Sequence, residues 1–230
     1  MRRDYTTSKE PQAAQSDLLL HFNDSFDDAV SGRARVLTPN TQLSPSGKFD
    51  TCYDVGGIGT RYLRFDMADK PIVSQDFTVD MWLYCTSYSS NYSFKWIFTI
   101  DRSGSTTGDE GTFNIRVRTT GKIEFSYRQN NAWHDTDTGI TLPLNSWHHL
   151  CCVRANNVIM FFLDGIKQFE TAMTARLMIN QNTFVDIGNN WSNSSGNQRA
   201  FNGMIDEFRL VVGTAAWTSN FTPQTEEYSV

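Results

Sequence analysis

DFTVDMWLYC, residues 76–85, alternates along its length. Phe77, Val79, Met81 and Leu83 fall on one side, and Thr78, Asp80, Trp82 and Tyr84 on the other. Successive side chains of a strand point to opposite faces, whereas helical apolar positions recur every three or four residues, so this is a strand with one side in a core. The same period extends downstream. TFNIRVRT (112–119) sets Phe113, Ile115 and Val117 against Asn114, Arg116 and Arg118. KIEFSYR (122–128) sets Ile123, Phe125 and Tyr127 against Lys122, Glu124 and Arg128, and Thr120-Gly121 between the two runs reads as a hairpin turn. NVIMFFLDGIKQFE (157–170) is a second hairpin, folded about Asp164-Gly165. Further strands are expected in 17–23, 61–66, 94–100, 146–154 and 183–188.

These runs amount to roughly a dozen short strands separated by turn signals. TAMTARLMI (171–179) is the one weak helix candidate. The expected class is all-β, a two-sheet antiparallel sandwich or jelly roll. A composition shift separates a polar N-terminal arm, residues 1–16, from one globular domain, residues 17–230. The arm carries Tyr5 as its only aromatic residue. It cannot build a core of its own and is expected to be held by a neighbouring chain in a larger assembly.

The 230 residues carry a net charge of −5 with no basic run, which argues against nucleic acid as a partner. No stretch approaches the ~20 apolar residues of a spanning helix, so no membrane insertion is expected. The two arginines at the N-terminus are followed by no apolar run, so no secretion signal is expected. Cys52, Cys85, Cys151 and Cys152 show neither framework spacing nor a C-x-x-C pair, and read as small buried apolar side chains.

LLLHFNDSFDD, DFTVDMWLY, WHHLCCVR followed by VIMFFLDG, IGNN after a strand, and the closing FNGMIDEFRLVVGTAAWTSNFTP occur in that order. Together they resemble the laminin-G-like, concanavalin A-like jelly roll of bacterial and tailed-bacteriophage proteins, over about residues 17–223. The ending TSNFTP after IDEFR resembles the bacteriophage branch. The resemblance implies two curved antiparallel sheets with the N- and C-terminal strands side by side, and often a calcium ion. It implies no single activity, because this fold hosts lectins, glycosidases and structural proteins.

In NGMIDEFRLVVG (202–213), strict alternation places Asp206 on one face with Met204, Phe208, Leu210 and Val212, pointing into the core. Glu207 falls on the other face with Ile205, Arg209 and Val211. A buried carboxylate needs strong partners. The resemblance implies a calcium ion near Asn23 and Asp206, with Asp24 a further donor in the following loop. The alternative is that Asp206 accepts N–H bonds from that loop.

Catalysis has little to stand on. Retaining glycosidases place two carboxyls ~5–5.5 Å apart on one surface. The enzyme branch of the family is similar in carrying E-x-D-x-x-E, which is absent. Asp206 and Glu207 are consecutive, and Asp135 and Asp137 sit in NAWHDTDTG, which reads as a polar turn. No Ser or Cys has a His and an acid in a recognisable arrangement. Glycan binding has more candidates: Trp133, His134 and Asp135 in one segment, and Asn190 and Trp191 in another. The expected function is a non-enzymatic structural or decoration protein of the virion, capsid or tail, assembled in the host cytoplasm as part of a large assembly. Its arm would hold other virion proteins and its domain would meet host surface polysaccharide. A free-standing lectin-like adhesion module is the alternative, and a glycoside hydrolase a distant third.

Overall fold

The structure is a computed structural model that describes residues 16–33, 35–37, 40–70, 75–88, 92–102, 112–130, 132–174, 183–190 and 199–230. In chain order its strands are β1 (Leu18–Leu20), β2 (Arg35–Leu37), β3 (Gln42–Ser44), β4 (Cys52–Asp54), β5 (Leu63–Asp66), β6 (Phe77–Cys85), β7 (Phe94–Arg102) and β8 (Phe113–Arg118). They continue as β9 (Lys122–Gln129), β10 (Ala132–Thr141), β11 (Trp147–Ala155), β12 (Val158–Leu163), β13 (Ile166–Ala172), β14 (Thr183–Ile187) and β15 (Gly203–Val212). One sheet has the order β13-β12-β11-β6-β15-β4-β3, with β1 also on β15; the other runs β10-β9-β8-β7-β14-β5-β2. Every ladder between named strands is antiparallel, and no helix occurs among the described residues. The fold is an all-β two-sheet sandwich.

The alternation of 76–85 sets which side of β6 is inward: Phe77, Val79, Met81, Leu83 and Cys85 all join the core. Aromatic pairs tie the sheets together across that core, Phe98 to Phe208 at 5.6 Å and Phe125 to Phe161 at 5.4 Å between ring centroids. Each fully buried Phe contributes about 1.5–3 kcal/mol of transfer free energy. Both predicted hairpin turns are present. At Asp164-Gly165 both residues have positive φ, 52° and 76°. A Cβ on Gly165 would lie 2.0 Å from the Phe221 carbonyl oxygen, so only glycine lets the C-terminal segment pass this turn.

Two expectations need correcting. Of NAWHDTDTG, residues 132–139 lie in strand β10 and not in a turn. It is the edge of its sheet, and its first four residues are all exposed, so the polarity contrast that marks a half-buried strand is missing. In the weak helix candidate, Thr171 and Ala172 close β13; residues 175–179 lie outside the described residues. Residues 1–15 of the 1–16 arm also lie outside them, while Ser16 is already buried and the Asp17 N–H bonds the Leu210 carbonyl at 2.9 Å. All four cysteines are free and buried.

The outer face of the larger sheet is not open. Residues 213–230 run back across it, and Trp217 packs with Cys151, Val153, Met160 and Phe162 in a second apolar cluster. The Ala216 N–H donates to Thr78 Oγ1 at 2.8 Å, and the Phe221 N–H to the Gly165 carbonyl at 2.9 Å. Trp217 and Phe221 stack at 3.9 Å. The closing segment is a strap over the sheet.

Candidate functional site

β15 pairs with β4 through Met204 and Ile205, and with β1 through Phe208 to Leu210, on the same edge. Between those partners the ladder to β6 slips between Asp206 and Arg209, and Glu207 takes φ 48°. This is a β-bulge, one extra residue that resets the alternation. Ile205 and Phe208 therefore both enter the core, and Asp206 and Glu207 both belong to the opposite, outer face. The expectation that Asp206 points inward and Glu207 away is thereby corrected. Strict period-two counting has no means of registering an inserted residue.

Asp206 is buried under the β3–β4 connection. Its Oδ2 accepts the Lys48 N–H at 2.7 Å and the Phe49 N–H at 3.3 Å, and its Oδ1 accepts the Glu207 N–H at 2.9 Å. Burial pushes its pKa up; these bonds oppose that, Glu207 adds to it, and the result is about 7. The loop that it pins is thus 46–50, not the one following Asn23. Lys48 lies over Trp82, 4.0 Å from the ring centre, so Trp82 is covered rather than displayed.

Glu207 is fully buried and accepts twice, from the Tyr228 N–H at 3.0 Å and in a 2.7 Å contact with His21 Nδ1. The hydrogen bond to Glu207 raises the His21 pKa above its ordinary value, against the effect of burial. Asn23 Nδ2 donates to Glu227 Oε1 at 2.7 Å. Asp24 is exposed, and its N–H bonds Thr51 Oγ1 at 3.3 Å. Calcium takes about six to eight oxygen ligands. Asn23, Asp24 and Asp206 do not fit that demand: Asp206 is engaged by three N–H groups, and Asn23 points a donor at another carboxylate. Among the described residues, the potential ligands gathered together are instead His21, Glu207 and Glu227, with ligand atoms all within 4.8 Å of one another.

The second predicted site is split by the fold. On edge strand β10, Trp133 and Asp135 share the outer face of the smaller sheet, opposite Arg128 and Ser126 of β9. Trp133 is 49% exposed, with the Arg128 guanidinium 5.8 Å from its ring. Asp135 is half exposed and lies 2.9 Å from Arg116 Nη2; Arg116 also pairs with Glu124 and covers the Phe94 ring at 4.1 Å. His134 takes the other face and stacks on Tyr127 at 4.9 Å, so it does not join them. Asn190 is buried beyond β14, four strands from β10, about 19 Å at the usual spacing. Trp191 lies outside the described residues. Behind Asp135 a polar row runs in register from β9 to β5: Ser126, Asn114, Thr99, Asp186 and Arg64. In that row Asn114 Nδ2 and Thr99 Oγ1 are buried and find no hydrogen-bond partner among the described residues.

The family model of the concanavalin A-like lectin/glucanases superfamily, in its laminin G form, matches residues 57–215. The chain belongs to this family. No curated protein matches it by sequence. Among solved structures it is similar to domain 4 of AbnA, a GH43 extracellular arabinanase from Geobacillus stearothermophilus, solved with arabinotriose. The TM-score there is 0.65 at 16% identity, over 88% of this chain and 94% of that one. It is also similar to the binding domain of Paraclostridial mosquitocidal protein 1, with TM-score 0.66, 13% identity and 87% and 49% coverage. The binding domain of botulinum neurotoxin DC, solved in complex with SialylT, gives 0.59, 15%, 86% and 47%. The chain spans about half the length of these toxin domains. At such identities the likeness shows the fold.

A concanavalin A-like chain can be a lectin or a glucanase, so its acids matter. Asp135 and Asp137 do share a strand face, but both are exposed on an edge. A glycosidase's acid needs a dry setting to keep its proton. One arrangement was missed in the sequence: Ser146 Oγ lies 2.8 Å from His148 Nε2, and His148 Nδ1 lies 2.7 Å from Asp164 Oδ2. These three follow the order of a serine-nucleophile relay, although Asp164 reaches His148 only through the β12–β13 turn. Ser146 and Asp164 are exposed, and water competes for each of these bonds. A second missed group is sealed. Asp80 is fully buried and accepts Arg209 Nε at 3.0 Å and Nη2 at 3.3 Å, with His149 Nε2 at 3.2 Å and the Tyr228 hydroxyl on the same oxygen. Burial pushes the Asp80 pKa up, but these partners outweigh it and hold it below its ordinary value.

Proposed function

We propose that the chain is a non-catalytic glycan-binding module whose binding edge is β10. The observation that carries this reading is the exposed Trp133 on the same face as Asp135, flanked by the Arg128 and Arg116 guanidiniums. A sugar ring presents an apolar C–H face and a rim of hydroxyls, which an aromatic platform beside carboxylate and guanidinium groups matches. Two solved structures of similar fold, one in complex with arabinotriose and one with SialylT, support the same reading.

The test is a glycan array followed by titration of the best polysaccharide fragment. Trp133→Ala and Asp135→Ala should each weaken binding by about tenfold or more. Unchanged affinity in both variants would move the site elsewhere. No hydrolysis is expected, and a fluorophosphonate probe should leave Ser146 unlabelled; labelling that disappears in Ser146→Ala would overturn the non-catalytic reading.

We place this module on a bacteriophage particle, displayed outward, with residues 1–16 contributing to attachment. The support is the resemblance of the closing TSNFTP segment and the polarity of the arm. Deleting residues 1–16 should leave folding intact and reduce incorporation into particles. Absence of the protein from purified virions would remove this setting while leaving glycan binding untouched.

A further inference from the structure

We infer that His21, Glu207 and Glu227 form a site for a divalent transition metal, zinc-like in its preferences, which clasps the two ends of the domain together. The donor set is one imidazole nitrogen and two carboxylates, a mixture suited to zinc rather than to calcium, which takes oxygen alone. The three come from separate parts of the chain: the end of β1, the bulge of β15 and the closing strap. Two of them, His21 and Glu227, fall outside the residues 57–215 matched by the family model.

The geometry is already close. The three potential ligand atoms lie within 4.8 Å of one another, and zinc bonds of about 2.0–2.2 Å would be reached by small side-chain shifts, with the His21–Glu207 pair opening slightly. His21 Nδ1 and Glu207 stand 2.7 Å apart, a separation set by one shared proton, whose place the metal takes. Supporting contacts of the kind that orient metal ligands are present. The Tyr228 N–H holds the second oxygen of Glu207, and Asn23 Nδ2 holds Glu227. Glu207 cannot swing away, because it is fully buried on the bulge. Glu227, by contrast, lines an open hollow of about 400 Å³ with Phe49, Thr225 and Glu226, which gives an ion a way in and leaves a position for water. Without an ion, His21 can balance only one of the two carboxylates.

The experiment uses the full chain after chelator treatment, probed with Co²⁺, Zn²⁺ and Ca²⁺ separately. Co²⁺ should give the visible absorption of a low-coordinate site, and Zn²⁺ should displace it and raise the melting temperature more than Ca²⁺ does. His21→Gln should abolish the cobalt spectrum. Glu227→Gln, on the more exposed partner, should retain the fold and lose the zinc-dependent shift. Asn23→Ala should weaken zinc binding by about 10–100-fold. His148→Gln, at the exposed pair that His148 forms with Asp164, should change none of this. The proposal is overturned by an absent zinc shift, by a shift that survives in both His21→Gln and Glu227→Gln, or by a larger shift with Ca²⁺ than with Zn²⁺.

Discussion

The outer faces of the two sheets use the same device, an arginine paired with a carboxylate, and end with opposite properties. On the larger sheet, Arg209 and Asp80 lie under the strap, fully buried, with Tyr228 and Trp217 on the guanidinium. On the smaller sheet, Arg116 is also buried, but it leads outward to Asp135, which is half exposed beside Trp133. A closed ion pair is committed to structure, since no ligand reaches it. An open one still has faces and lone pairs to offer a partner. The difference lies in the position: residues 213–230 roof the first pair, while Asp135 stands on β10, the edge of its sheet among the described residues.

The contrast breaks most visibly at Asp80. Asp80→Ala leaves Arg209 buried without its carboxylate, and should cost about 3–5 kcal/mol of stability by chemical denaturation. A loss below about 1 kcal/mol would mean that the sealed face tolerates solvent and that the comparison is false.

Asp206, also on the sealed side, should show a smaller effect with a pH signature. Asp206→Ala strands the Lys48, Phe49 and Glu207 N–H groups and should cost about 1–3 kcal/mol. Its folded pKa of about 7 lies above the ordinary 3.8, so between these values the folded state binds more protons than the unfolded one. The contribution of Asp206 is therefore complete below 3.8 and is lost as pH rises through about 7. The raised pKa of His21 acts in the same direction, and the lowered pKa of Asp80 in the opposite one. The useful quantity is the difference between wild type and Asp206→Ala, measured with chelator present. It should be larger near about pH 5 than near about pH 8. A difference that grows with pH would show that the carboxylate is held ionised.

The open face should respond least. Asp135→Ala and Trp133→Ala should each shift stability by less than about 1 kcal/mol, because solvent already screens the one and wets the other. A loss comparable to that of Asp80→Ala would make β10 structural and remove the rationale for a binding edge.

Much of this architecture was legible residue by residue. β6, β8 and β9 each turn their apolar side chains into the core and their polar ones to the opposite face, so alternation of polarity in the sequence marks the inward side even though both faces are largely buried. β10 was misread for the converse reason, since an edge strand with polar side chains on both sides carries no contrast to detect. β2, β3 and β4 were missed because three-residue strands are too short to show a period. Of the predicted glycan set, Trp133 and Asp135 converge on one surface. His134 and Asn190 do not, because a strand neighbour changes face and a residue four strands away shares no surface.

By itself the sequence determined the class of fold, the inward side of the long strands and the two hairpin turns. Each of these follows from side chains within a few residues of one another, through the pleat and through φ at Asp164-Gly165. The tertiary structure alone decided the phase of β15, where one residue inserted between two partner strands turned Asp206 and Glu207 to the same outer face. It alone also brought His21, Glu207 and Glu227 together, and put Tyr228 over Asp80. Such contacts join residues as many as 206 positions apart along the chain, and no local period carries the information that they will meet.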